Sequence, residues 1–196
     1  MPPLVMSQPS AALPWGMTVA IWVVGERILT FRDLRSGAWK SRQDRGSYLW
    51  VVAGVVCGFS VALLLAFREV LMLPASMVWL VLGLVVAWAG LLLRLWAVLA
   101  LGRSFTTTVL VQSEQRVVAT GPYRLVRHPS YLGLLILFFG LGLALGNVAS
   151  AAALVVLPAI GLVRRIAVEE AALQAGLGDA YVEYARGRAR LIPRIW

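Results

Sequence analysis

Long apolar runs, more than any motif, limit what this chain can become. Four stand out, at 15–31, 48–67, 77–101 and 131–163. A helix crossing about 30 Å of hydrocarbon needs about 20 apolar residues, with about 17 as the lower end. The second and third runs meet that length and the first sits near the lower end. The fourth is too long for one helix and is interrupted by Leu145-Gly146-Asn147, whose glycine and asparagine both tolerate left-handed backbone. It reads as a helical hairpin, 131–145 then 148–163, each arm about 22–24 Å long at 1.5 Å per residue. The expected fold class is an all-α integral membrane protein with about five transmembrane helices, the last two forming a C-terminal hairpin.

Composition agrees. Of the 196 residues 60% are hydrophobic and 14% charged, against about 45–50% and about 25% in a soluble domain. That apolar surplus needs lipid as its solvent. The net charge of +9 lies between the apolar runs, with no zinc-finger or RNA-binding aromatic motif beside it, so nucleic acid is not an expected partner. One cysteine, Cys57, and one histidine leave neither a disulfide framework nor a cluster for a metal. Cys57, inside an apolar run, reads as a small packing or lipid-facing residue.

Charge placement tests the spans. Arg32, Arg35, Lys40, Arg42 and Arg45 fall between the first two; Arg103, Arg116, Arg124 and Arg127 between the third and the hairpin. Arg164, Arg165, Arg186, Arg188, Arg190 and Arg194 follow the hairpin, so fifteen of the 18 basic residues share one side. The positive-inside rule then puts the N-terminus outside and the C-terminus in the cytoplasm. The first run does not read as a signal peptide, because its flank lacks positive charge and no small-residue cleavage site follows. Prolines 2, 3 and 9 suggest a disordered lead. Arg94, within the third run, either faces a functional cavity or snorkels to the surface about 10 Å away.

The chain divides into residues 1–101, a lead and three membrane helices, and 102–196, which carries the polar chemistry. Two segments of that half, 102–130 and 164–196, face one compartment and can meet. The second is expected to continue the last membrane helix outward on an Ile166, Leu173 and Leu177 stripe. Gly176 and Gly178 interrupt it, and Asp179 is expected to cap a short helix bearing Tyr181 and Tyr184.

The segment from Gly121 to Gly133, Gly-Pro-Tyr-Arg-Leu-Val-Arg-His-Pro-Ser-Tyr-Leu-Gly, sets the only histidine, two arginines and two tyrosines where a loop re-enters the membrane. Pro129 suits the first turn of a helix, which puts His128 at the mouth of the hairpin among N–H groups that favour an anion. An interfacial anchor is the plainer reading of such Tyr and Arg residues. Farther on, Arg165 and Glu169 are four apart and share a helix face. As a surface pair they are worth only about 0.3–0.5 kcal/mol, but the adjacent acids Glu169 and Glu170 at an apolar edge invite a cation.

Together, Gly-Pro-Tyr-x-x-x-Arg-His-Pro-x-Tyr-x-Gly, a hairpin, Arg-x-x-x-Glu-Glu, and Leu-Gly-x-x-Tyr-x-x-Tyr before Ile-Pro resemble the isoprenylcysteine carboxyl methyltransferases and their phospholipid methyltransferase relatives. The resemblance covers roughly 91–196. It implies that the polar loop, the hairpin mouth and the C-terminal helix enclose S-adenosylmethionine. Gln112, Gln115, Arg116, Val117, Val118, Tyr123, His128, Pro129, Ser130, Tyr131 and Glu169 then correspond to cofactor-contacting positions. Gln115-Arg116 stands where relatives often carry Gly-His. Arg165 resembles the arginine implicated in substrate engagement or catalysis, and Glu170 is the further candidate for catalysis.

The residues suit that assignment. A carboxylate such as Glu169 can meet the ammonium or ribose hydroxyls of S-adenosylmethionine, and His128, Tyr123 or backbone N–H groups its carboxylate. No Gly-x-Gly-x-x-Gly marks a Rossmann-type site. Methyl transfer to a carboxylate neutralises both reactants, so positioning in a dry site suffices and no general base is needed. N-methylation of a phospholipid amine is the alternative and would require a base such as Glu170 or His128. An NADPH-dependent sterol-reductase-like enzyme and a non-enzymatic transporter or scaffold are the remaining readings. The expected partners are a lipophilic acceptor and membrane lipids. Arg-rich, Lys-poor usage points to a high-GC bacterium, hence to a bacterial inner membrane and an acceptor other than a prenylated CaaX protein.

Overall fold

A computed structural model describes residues 3–36, 44–74, 76–109, 111, 116–193 and 196. Among the described residues the regular elements are helices: α1 (Leu4–Ser7), α2 (Pro9–Ser36), α3 (Ser47–Phe67), α4 (Met77–Leu101), α5 (Pro129–Ala144), α6 (Val148–Leu177) and α7 (Asp179–Ala185). By length and composition α2, α3, α4 and α6 are able to cross a membrane, while α5 is a shorter apolar helix of 16 residues.

Three local expectations change. The proline-bearing lead is helical, because Pro9 occupies the first position of α2, where its missing N–H costs nothing. At the hairpin only Gly146 adopts left-handed backbone (φ +64°). Asn147 is extended instead and caps α6, its side chain accepting the Ser150 N–H at 2.7 Å. Asp179 is the first residue of α7 rather than its cap; Gly178, at φ +55°, makes the turn. The expected outward continuation holds, since α6 runs unbroken for 30 residues through Pro158 and both arginines.

Two tight helix pairs, α4 with α5 and α3 with α6, form the frame. In the first, Gly83 and Gly90 face Gly133 and Gly140. A Cβ at Gly133 would lie 2.7 Å from the backbone of both Gly90 and Arg94, and one at Gly90 would strike the Leu137 backbone. Backbones therefore touch, as small residues permit in membrane helix pairs. Leu134, Leu137, Phe138, Leu141, Leu154 and Leu162 fill the core between the pairs. Helix α2 is attached more sparely. Its Trp15 indole N–H donates to the Leu141 carbonyl at 3.0 Å, Glu26 pairs with Arg94, and Trp22 meets Phe138 edge-on. It shares few contacts with α3, and Val23, Val52 and Val56 on those two helices are exposed.

Candidate active site

The loop before α5 is pinned by the C-terminal tail. The N–H groups of Arg127 and His128 donate to the carbonyls of Ala189 and Arg190, each at 2.9 Å. The His128 N–H is thus occupied and does not offer itself to an anion. Pro129 begins α5, which sets Ser130 and Tyr131 on its first turn and stacks the His128 ring on Tyr131 at 5.6 Å. Across from them α6 carries Arg165, Glu169 and Glu170.

Arg165 is only 4% exposed, and its guanidinium is almost fully engaged. Nε donates to the Tyr131 hydroxyl at 2.7 Å, one terminal nitrogen to Asp44 at 2.9 Å and Ser47 at 3.3 Å, and the other to the Thr107 carbonyl at 2.7 Å. The Tyr131 hydroxyl in turn donates a hydrogen bond to Glu169 at 2.5 Å. One chain of bonds therefore runs from Asp44 through Arg165 and Tyr131 to Glu169. Asp44 also accepts from the N–H groups of Tyr48 and Val109. Burial alone would raise its carboxyl; those N–H donors, Arg165 and Ser47 outweigh it and hold the group below its ordinary 3.8. Beside it, Asp33 accepts from the Thr107 backbone N–H and, at 2.6 Å, from its hydroxyl.

Two cavities flank this chain. One, of about 830 Å³, is walled by Arg116, Val117, Val118, Tyr123, His128, Ser130, Tyr131, Glu169, Leu173 and Tyr181 among others. The second, of about 880 Å³, is walled chiefly by valines of α2 and α3, with Leu134, Leu162, Glu26, Arg94 and Arg165. Phe105, Thr106 and Tyr131 belong to both walls. The two cavities are neighbours across a thin partition; the first is the more polar and the second the more apolar.

Most of the expected site residues converge on the first cavity: Arg116, Val117, Val118, Tyr123, His128, Ser130, Tyr131 and Glu169 all line it. Gln112 and Gln115 lie outside the described residues. Pro129 is buried at the start of α5 and lines neither cavity; it sets the direction of its neighbours. Glu170 also lines neither. It sits behind His128 (3.3 Å) in a cluster with Arg127 at 2.7 Å and Arg190 at 2.9 Å. Arg94 proves to be a cavity residue: it is buried, binds Glu26 at 2.6 and 2.8 Å and Ser130 at 2.7 Å, and lines the second cavity.

The polar cavity also has an unfilled hydrogen-bonding capacity. The Tyr181 hydroxyl is buried without a partner among the described residues. Burial, with the nearby Glu170 carboxylate, pushes its titration upward, so it stays a neutral donor. Sequence reasoning missed Asp44, Asp33, Thr107 and Glu26. For Glu26 a signal existed, since an acid inside an apolar run asks for a named partner and Arg94 was the obvious one.

Comparison with known proteins gives a concordant result. Residues 79–175 match the Isoprenylcysteine carboxyl methyltransferase (ICMT) family. The chain is 38% identical over 113 residues to Protein-S-isoprenylcysteine O-methyltransferase A of Arabidopsis thaliana, covering 57% of each protein. It is 35% identical over 136 residues to a probable protein-S-isoprenylcysteine O-methyltransferase of Oryza sativa subsp. indica, covering 67% of this chain and 71% of that one. The matches to Arabidopsis forms A and B span 57% and 54% of those relatives. In fold, the chain is similar to the eukaryotic intramembrane Ras methyltransferase ICMT, with a TM-score of 0.64 over 98% of this chain and 70% of that one, at 20% identity.

Proposed function

Because the chain belongs to the isoprenylcysteine carboxyl methyltransferase family, we propose that it is a membrane-embedded methyltransferase that uses S-adenosylmethionine to esterify the carboxylate of a lipophilic, isoprenylcysteine-like acceptor. The observation that carries this reading is the pair of neighbouring cavities sharing Tyr131, the more polar one bearing Glu169 and the more apolar one bearing the valines of α2 and α3.

The polar cavity fits the methyl donor chemically. Glu169 offers a carboxylate to an ammonium or to ribose hydroxyls, and the unpartnered Tyr181 hydroxyl offers a donor. Val117, Val118 and Leu173 give apolar walls for a flat base. When bound, S-adenosylmethionine supplies a methyl group on a sulfonium. The chain's own contribution is placement and dryness: valine walls exclude water from an acceptor carboxylate and strengthen its attraction to positive charge.

Arg165 is bonded to the partition through Tyr131, and its geometry narrows how it acts. Asp44 and Thr107 occupy the donor pair that a bidentate grip would use. Of five N–H groups one remains, so Arg165 steers an acceptor carboxylate with its field and a single bond. Because Glu170 lines neither cavity, no carboxylate among the described residues faces the acceptor side apart from Glu26, which Arg94 neutralises. That favours a carboxylate acceptor over an amine.

The charge distribution supports an orientation with the C-terminal half in the cytoplasm, the Arg-rich, Lys-poor usage a bacterial inner membrane, and four long apolar helices with the shorter α5 about five crossings in all. The chemical test uses purified protein in lipid nanodiscs, methyl-tritiated S-adenosylmethionine and N-acetyl-S-prenyl-cysteines. Label released as methanol by mild alkali identifies a methyl ester; alkali-stable label on an amine lipid would establish N-methylation instead. Absence of both refutes methyl transfer to either class.

A further inference from the structure

On its loop side the partition between the cavities is the backbone of residues 105–109. Phe105 and Thr106 belong to both walls, Thr108 and Val109 to the first alone, and Thr107 to the second alone. The chain bends at Thr107 and Thr108, and the Thr106 hydroxyl braces the bend by donating to the Thr108 carbonyl at 2.6 Å. Charged side chains hold this strap from outside. Arg32 of α2 donates to the Phe105 carbonyl, and Asp44, just before α3, accepts from the Val109 N–H at 3.2 Å. Arg165 of α6 donates to the Thr107 carbonyl at 2.7 Å. One carboxylate oxygen of Asp33 accepts both the N–H and the hydroxyl of Thr107. Each polar group of Thr107 therefore ends on a charged side chain, Asp33 on one side and Arg165 on the other. Asp33 is buried and lines neither cavity. It also stands in the last turn of α2, where the helix dipole disfavours an acid, so its own helix gives no reason for it.

We propose that Asp33 is a positioning residue for methyl transfer: by fixing Thr107 it sets which strap residues face which cavity and holds the Thr107 carbonyl on Arg165. The inference rests on the methyl-transfer reading of the two cavities. With Thr107 pinned, the guanidinium keeps one N–H for an acceptor and no freedom to turn toward the donor side. With Thr107 released, its carbonyl leaves Arg165, the cation regains donors and motion, and Thr106 and Thr108 no longer keep their places. Acceptor and methyl group then meet out of line, and a misplacement of about 1 Å costs about a hundredfold in rate. The walls away from the strap stay as they are, so the loss falls on kcat more than on binding. Asp44 bonds Arg165 directly, so its removal disturbs the cation as well as the strap. Asp33 acts on Arg165 through Thr107.

The test uses the purified protein in lipid nanodiscs. Asp33→Ala removes the pin and Asp33→Asn keeps an accepting oxygen. Thr107→Val removes the hydroxyl bond with little change of volume, and Thr107→Ser restores it. Hydrogen exchange followed by mass spectrometry on peptides covering 105–109 needs no turnover. It should quicken in Asp33→Ala, and less in Asp33→Asn, while α4 and α5 exchange as in wild type. Methylation of N-acetyl-S-prenyl-cysteine by Asp33→Ala should lose roughly 10- to 100-fold in kcat, with S-adenosylmethionine affinity and acceptor KM changing far less. Thr107→Val should fall in the same parameter by a smaller factor, and Thr107→Ser should recover most of that loss. Should Asp33→Ala not fold, Asp33→Asn and the two Thr107 variants carry the same comparison. Wild-type exchange at 105–109 in the Asp33 variants overturns the proposal. So does faster exchange with kcat unchanged, or a loss confined to donor affinity. A wild type that methylates no prenylcysteine sinks the methyl-transfer reading, and the positioning role with it.

Discussion

Arg165 shows how much a single side chain is asked to do at the partition between the cavities. It is buried, and among the described residues Asp44 is its only directly bonded carboxylate. Removing one partner of a buried pair leaves the other uncompensated, at a cost of about 3–5 kcal/mol. Asp44→Ala is therefore expected to lower thermal stability in detergent by that order, and Asp44→Asn by less, since the amide oxygen still accepts. The pH dependence has a definite sign. The folded-state titration of Asp44 lies below its ordinary 3.8, so its contribution is complete above that value and is lost as pH falls through the lower folded one. Asp44→Asn should flatten this acid limb, which unfolding followed from pH 5 downward would read. Glu169 and Arg165 separate by function. Glu169→Gln should weaken S-adenosylmethionine binding by about 1.5–3 kcal/mol, the scale of a charged hydrogen bond. Arg165→Lys should depress turnover while leaving that affinity within about 1 kcal/mol. Calorimetry run beside methylation rates decides both: unchanged binding removes Glu169 from the donor cavity, and normal turnover removes Arg165 from the partition.

At the scale of elements the outcome is set by backbone contact between α4 and α5. Every residue that α5 presents to the donor cavity, Ser130 and Tyr131 above all, takes its place from that contact. A side chain at Gly90 would run into Leu137 and the Gly133 carbonyl. Gly90→Leu is expected to cost about 3 kcal/mol or more, the upper end for overpacking, and to abolish donor binding in whatever protein survives. Gly16→Leu and Gly25→Leu, on α2 with open space around them, should melt as wild type does. Equal melting of all three would mean that α4 and α5 are not in backbone contact. The elements were legible in the sequence because apolar runs and turn glycines are local signals. So was much of the wall of the first cavity, whose motif residues lie close together in the chain. The wall of the second was not. Arg165 meets Asp44 across 121 positions and Arg94 meets Glu26 across 68, and no periodicity announces contacts that only helix packing creates. Arg94 itself stood undecided between cavity and surface until α2 supplied its partner.

The whole molecule is polarised. Its two cavities, its ion-pair network and twelve of its 15 described basic residues gather at one end, while Arg68 and Glu69 mark the other. Helices α2 and α3 run antiparallel through the same apolar cavity, so the loop joining them and the loop after α4 must lie on the same side. The turn between α3 and α4 must lie opposite. On the proposed orientation the cavity end faces the cytoplasm, because positive charge is retained on that side of a membrane; a soluble methyl donor would then enter there while the acceptor arrives from lipid. Single cysteines report this directly once exposed Cys57 is changed to alanine. Cysteines at Gln43 and Ser113 should be shielded from an impermeant thiol reagent in intact cells and should label after lysis. One at Ser76, which caps α4 through the Val78 N–H, should label in intact cells; losing that cap costs about 1 kcal/mol, too little to unfold the frame. The reverse pattern would put both cavities on the outer face, where S-adenosylmethionine from the cytoplasm has no access, and would remove the donor from the proposed chemistry as well as the orientation.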